Sequence, residues 1–174
     1  QQHDLNREDL RWQLLNFFYD PTGGALEAVH EELERLERLA REAGRGPRQL
    51  GEQPDPYESW FEFDVALELL RRRYRLRPQV EFAGYRIDLV LEGLVNHRLA
   101  VECDGDAWHG PERFDQDMIR QRQLERAGLK FVRVRESEFY LDRRGAIGRI
   151  VEACDELGIK PVGEEKTEEH NERT

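Results

Sequence analysis

The sequence predicts an α/β domain, and three observations carry that reading. Residues 84–91 (GYRIDLVL) and 98–105 (RLAVECDG) are apolar, strand-like runs joined by a stretch with turn chemistry around Gly93 and Asn96, so they read as an antiparallel hairpin. Residues 59–62 (SWFE) have the spacing of a capping box, in which a serine and a glutamate three residues on satisfy each other's end of a helix. Residues 114–128 read as an amphipathic helix stopped by Gly128, and residues 129–134 then alternate like a strand. The order is helix, strand, strand, helix, strand, helix.

Each segment has a local reason. Leucines and a valine spaced through glutamate and arginine between residues 25 and 42 predict a surface helix, and residues 43–56, with Gly44, Gly46, Pro47, Gly51 and Pro54, predict a linker. The capping box opens a helix through Leu70 and puts Glu62 in its first turn. Residues 104–110 (DGDAWHG) form a glycine-bracketed loop after the second hairpin strand. The resulting division is a helical extension and linker over 1–52, a core domain over 53–163 and an acidic polar tail over 164–174, which has too few apolar residues to fold alone.

The chemistry lies in the acids. Asp88 and Glu102 interrupt apolar strands, and an ionised carboxylate loses several kcal/mol or more of hydration when buried without a partner. Glu102 and Asp104, two apart, share a strand face, and the hairpin brings Asp88 beside Glu102. Converging hard oxygen donors suit magnesium or manganese better than zinc. The competing reading is a set of structural salt bridges to the chain's many arginines.

With Glu62, the Ile-Asp88-Leu-Val strand, the Val-Glu102-x-Asp104-Gly strand end, the Trp-His109-Gly loop and the Arg120-x3-Leu124-x3-Gly128 helix in this order, residues 57–158 resemble the PD-(D/E)XK nuclease superfamily. The branch they most resemble holds the very-short-patch mismatch repair endonucleases. The resemblance implies a three-layer restriction-endonuclease-like fold, a mixed central sheet flanked by helices, with the N-terminal helical extension added to it. It implies a Mg2+- (or Mn2+-) dependent endonuclease acting on DNA. Asp88 and Glu102 would bind the cation directly, the carbonyl of Cys103 would be a third ligand, and Glu62 would act through water. Asp104 or His109 would handle the proton of the attacking water, and Arg120 and Arg122 would hold the scissile phosphate. One departure stands out: Asp104 occupies the position where the family pattern has lysine, and the mismatch-repair branch has histidine. Residues 4–18 resemble a segment at the junction between such domains and superfamily 1 helicase motors, and the chain begins without methionine. It is therefore read as the C-terminal piece of a larger helicase-related repair or defence protein. No Gly-Lys-Ser/Thr phosphate loop occurs in it.

Composition bounds the rest. The net charge of −10 is concentrated at the ends, with −4 in residues 1–52 and −3 in residues 164–174, leaving −3 for the core. Arginines cluster at 71–77 and around Arg120, Arg122, Arg126, Arg133 and Arg135. Such clusters track phosphates on a contacted face, or are simply solvated helix surfaces. His109 is either a loop residue held by hydrogen bonds or a group that titrates near neutrality and moves a proton. Trp108 caps the core or stacks on a base. Asp106, Asp115 and Asp117 cap the following helix or support a ligand from behind. His3, His30, His97 and His170 have no partner pattern and read as surface residues. Cys103 and Cys154 form neither a metal pattern nor a disulfide framework, and nothing has membrane-spanning length or signal-peptide layout, which makes a cytoplasmic protein the default.

Overall fold

The computed structural model describes residues 23–44, 48, 52–82, 84–94, 97–105 and 129–163. Helix α1 (Gly23–Ala43) carries Ala25, Val29, Leu33, Leu36 and Ala40 at three- and four-residue spacing, a single apolar stripe. Its Val29 and Leu36 are buried in the same core as the helices and sheet that follow, so the N-terminal helix packs into the domain rather than beside it. Helix α2 (Trp60–Arg71) is apolar nearly all round, with Phe61, Phe63, Val65, Ala66, Leu67, Leu69 and Leu70 buried. A helix of that kind belongs at the centre of a fold.

The sheet has the order β1 (Leu76–Phe82), β2 (Tyr85–Glu92), β3 (Arg98–Asp104), β4 (Lys130–Arg135). The first two pairs are antiparallel and β3 runs parallel to β4, so the sheet is mixed, as the sequence predicted. Strand β1, which the sequence reading passed over as part of an arginine cluster, is an edge strand. That is why it tolerates Pro78, whose missing N–H is not needed on an unpaired side. Phe82 pairs with Tyr85 across a two-residue connection that ends on Gly84 at φ +79°, a backbone conformation that glycine adopts without strain. A short helix α3 (Glu136–Leu141), also not foreseen, precedes α4 (Arg143–Glu156). Asp142 caps α4 by accepting from the Gly145 N–H at 2.9 Å. At its other end Gly158, at φ +69°, turns the chain so that Ile159 and Val162 enter the core.

The apolar residues form two clusters. The main core joins α1, α2, α4 and residues Leu89, Leu91, Leu99 and Val101 of the sheet. The second gathers Ile87, Val90, Ala100 and Leu129, with Val80, Phe82, Tyr85 and Phe131 against it. Both faces of the sheet are therefore covered with apolar side chains. Among the described residues no helix is long and apolar enough to cross a membrane.

Candidate active site

The capping box forms at the N-terminus of α2. Ser59 Oγ accepts from the Glu62 N–H at 3.0 Å, and the Glu62 carboxylate reaches back to the N–H of Glu58, one residue beyond the cap, at 2.9 Å. Its other oxygen accepts from the Gln79 amide at 2.6 Å. Glu62 is only 2% exposed, and all three of these contacts are to neutral groups. Burial pushes its carboxyl up to about 7; the two donated hydrogen bonds oppose that rise and the nearby Asp88 adds to it.

The sheet supplies the facing acids. Pro78 pairs with Leu89 and Val80 with Ile87, which leaves Gln79 and Asp88 level with each other between them. The β2–β3 ladder ends at Leu89 opposite Val101, the residues next to Asp88 and Glu102, and Glu102 lies beside Arg133 of β4. Gln79 and Asp88 share one level of the outer hairpin. At that level the normal alternation of the outer hairpin is reset. Leu89 belongs to the main core, yet Ile87, two residues away, belongs to the second cluster; Leu76 and Val80 divide the same way. The reset coincides with φ +53° at Gln79, in the left-handed region. Asp88 uses the gap: its carboxylate accepts from the Cys103 N–H at 2.7 Å, a side chain taking a donor from the neighbouring strand.

The Cys103 thiol lies within the field of these acids. Burial raises it well above its ordinary value, and the charges of Asp88, Glu62, Glu102 and Asp104 raise it further, in that order. All four acids singled out in the sequence act on this one thiol, two of them as its chain neighbours and Asp88 through the Cys103 N–H. Asp104 also lies 3.8 Å from the Arg133 guanidinium, a long contact. Among the described residues no three His, Cys, Asp or Glu side chains stand close enough to make a ready-built metal cluster. The donor set of buried and half-buried carboxylates is nonetheless the chemistry of a hard divalent cation, and the buried Gln79 Oε1, which has no donor among the described residues, is an acceptor suited to a hydrating water. His109, Arg120, Arg122 and Trp108 lie outside the described residues.

The arginine cluster after α2 engages its own protein. Arg71 and Arg72 pair with Glu68 at 3.2 and 2.7 Å, Arg143 approaches it to 3.7 Å, Arg71 also reaches Glu37 at 3.2 Å, and Arg77 pairs with Glu92 at 2.8 Å. The sequence reading missed Gln79, which signals nothing until β1 is recognised as a strand. It also missed Asp64, buried in α2 and held by Arg48 at 2.6 Å and the Tyr140 hydroxyl at 2.8 Å. No local pattern joins residues 48, 64 and 140.

Residues 61–154, more than half of the chain, match the model of the REase_MTES_1575 family, a restriction-endonuclease-like family. The chain belongs to that family. No curated protein and no solved structure matches it. The REase_MTES_1575 segment runs from the first turn of α2 to the last turn of α4 and takes in Glu62, Gln79, Asp88, Glu102 and Asp104. Membership identifies a restriction-endonuclease-like nuclease domain. Helix α1 lies outside the matched segment although it shares the core.

Proposed function

We propose that this domain is a magnesium- or manganese-dependent endonuclease that hydrolyses DNA phosphodiester bonds. One observation carries the reading: inside a nuclease-family fold, Gln79 of β1 ties Glu62 at the start of α2 to the sheet, where Asp88 accepts from the N–H of Cys103, the residue between Glu102 and Asp104. Asp88 and Glu102 would hold the cation with the Cys103 carbonyl. When bound, the cation supplies charge stabilisation at phosphate and raises the acidity of water. Glu62, fixed on both oxygens, orients a water rather than moving during the reaction. Asp104 or His109 accepts the proton, and Arg120 and Arg122 grip the phosphate. The likeness to the very-short-patch branch and the sequence of residues 4–18 support placing the domain beside a superfamily 1 helicase motor in a repair or defence protein.

A non-cleaving, DNA-positioning module is the second reading. It is favoured by Asp104 standing where the nuclease pattern has lysine and lying toward Arg133. Nicking assays on duplex, single-stranded, mismatched and branched DNA in magnesium or manganese separate the two. Cleavage is expected in wild type, none in Glu102→Gln, and a rate lowered by ~100 to 10,000-fold in His109→Ala, the range for lost acid–base assistance. DNA affinity measured in calcium is expected to hold in His109→Ala, and to fall with a flatter salt dependence on charge reversal at Arg120 or Arg122. Salt-dependent DNA binding without cleavage of any form, also in the parent protein, makes the second reading correct.

A further inference from the structure

Resting on that nuclease reading, we propose that Gln79 is a positioning residue of the active site: its amide nitrogen fixes Glu62, and its amide oxygen accepts a hydrogen bond from a water held among the carboxylates. Three observations converge on it. The 2.6 Å contact to Glu62 comes from a strand, while the other hydrogen bonds of Glu62 and its cap come from the helix end itself, so among the described residues it is Gln79 that ties that carboxylate to the sheet that carries Asp88 and Glu102. Its backbone sits at φ +53°, where glycine or asparagine is the ordinary occupant, and the side chain is nonetheless a long amide. Its Oε1 is buried and has no donor among the described residues, an arrangement that a purely structural residue does not need.

The orientation of the amide follows from its partner. While Glu62 is ionised it offers only acceptors, so the nitrogen faces it, and the oxygen is left buried without a donor among the described residues, on a residue level with Asp88. A strand residue that served only to bend the edge would need the left-handed backbone alone. Gln79 adds reach, and reach is what brings a neutral donor to a buried acid without cancelling its charge.

Gln79→Asn and Gln79→Gly test this. Both residues accept a left-handed backbone, and neither reaches Glu62. The metal-free melting temperatures of both variants are expected at or above that of wild type. The cleavage rate at saturating DNA is expected to fall at least tenfold with KM for DNA unchanged, and the magnesium concentration that gives half the maximal rise in melting temperature is expected to increase severalfold. The Glu58 N–H, which Glu62 accepts from, is expected to exchange with solvent faster in both variants when followed by NMR. Wild-type kcat, wild-type magnesium response and unchanged Glu58 exchange in Gln79→Asn would overturn the assignment. If wild type itself neither cuts DNA nor responds to magnesium, the nuclease reading fails; Glu58 exchange then decides the positioning of Glu62 separately, with faster exchange upholding it and unchanged exchange overturning it.

Discussion

Two glutamates six residues apart on α2 meet opposite fates. Glu62, at the helix start, is held by a backbone N–H and an amide, all neutral, and burial leaves its carboxyl at about 7. Glu68, at the helix end, is also pulled upward by burial, but Arg72, Arg71 and Arg143 outweigh that pull and hold it below the ordinary carboxylate range. Neutral donors fix an acid in place and leave its proton affinity high; guanidinium groups fix it and fix its charge as well. Helix and residue type are shared, so the difference lies in where each sits and in its partners. Who donates to a buried or half-buried carboxylate therefore decides whether it keeps a high proton affinity or a fixed charge.

Asp64, between them, sharpens the comparison most. It is buried with a single guanidinium and one phenol, and Arg48 approaches from a residue well before α2 and also lies over the Trp60 ring at 4.8 Å. Arg48→Met removes the only guanidinium that reaches Asp64 among the described contacts and leaves a buried charge with the Tyr140 hydroxyl. We expect a loss of about 2 to 4 kcal/mol in urea unfolding at pH 7, somewhat below the ~3 to 5 kcal/mol for a fully buried pair because Arg48 is one-third exposed. A change within about 0.5 kcal/mol, the level of an ordinary surface substitution, would show that Asp64 behaves like the exposed pairs.

The next effect is a pH dependence with a definite sign. Because the folded state holds the Glu62 proton more tightly than the unfolded chain, with values of about 7 against 4.5, native stability in metal-free buffer falls as pH rises from 4.5 to 7 and is flat on this account above that. The full span is on the order of 3 kcal/mol. In Glu62→Gln this slope should disappear, with the variant gaining on wild type at pH 8 and not at pH 4.5, as read by paired urea titrations. Parallel profiles for the two proteins would place the carboxylate in a more watery setting than its burial implies.

Glu68→Gln is the smallest test. Its partners are part-exposed arginines, so solvent screens them and the loss should be about 0.5 to 1 kcal/mol. This contribution has the opposite pH sign: it is present above the unfolded pKa and is lost as pH falls through the lowered folded value. DNA cleavage should be unchanged. A variant that lost cleavage while keeping its fold would erase the distinction between the two ends of α2.

The parts of this fold visible in the sequence are those written in local pattern. The capping box located Glu62 to the residue, the acid-bearing apolar runs gave the β2–β3 hairpin, and the alternation over 129–134 gave β4. Strand β1 was hidden because Pro78, the exposed Arg77 and Glu81 and a left-handed Gln79 break the alternation by which strands are recognised. Asp88, Glu102 and Asp104 could be nominated from their strands and Glu62 from its capping box, but Gln79 could not, since its meaning depends on a register between β1 and β2 that no single segment carries. The ion pairs of the arginines were not legible for a related reason: the partners of Arg71 at Glu37 and of Arg143 at Glu68 lie 34 and 75 residues away in the chain.

Helix α1 can also be regarded as a ligand that the rest of the domain carries on its own tether. Val29 and Leu36 fill the core, and Glu37 meets Arg71 from across the contact. While the chain is intact, the helix is present at the millimolar-scale effective concentration of a short link, so modest contacts suffice to keep it seated. One cut just after Gly44 would turn that intramolecular contact into an ordinary two-body equilibrium. The stability of the nicked protein would then depend on how much of it is in the tube.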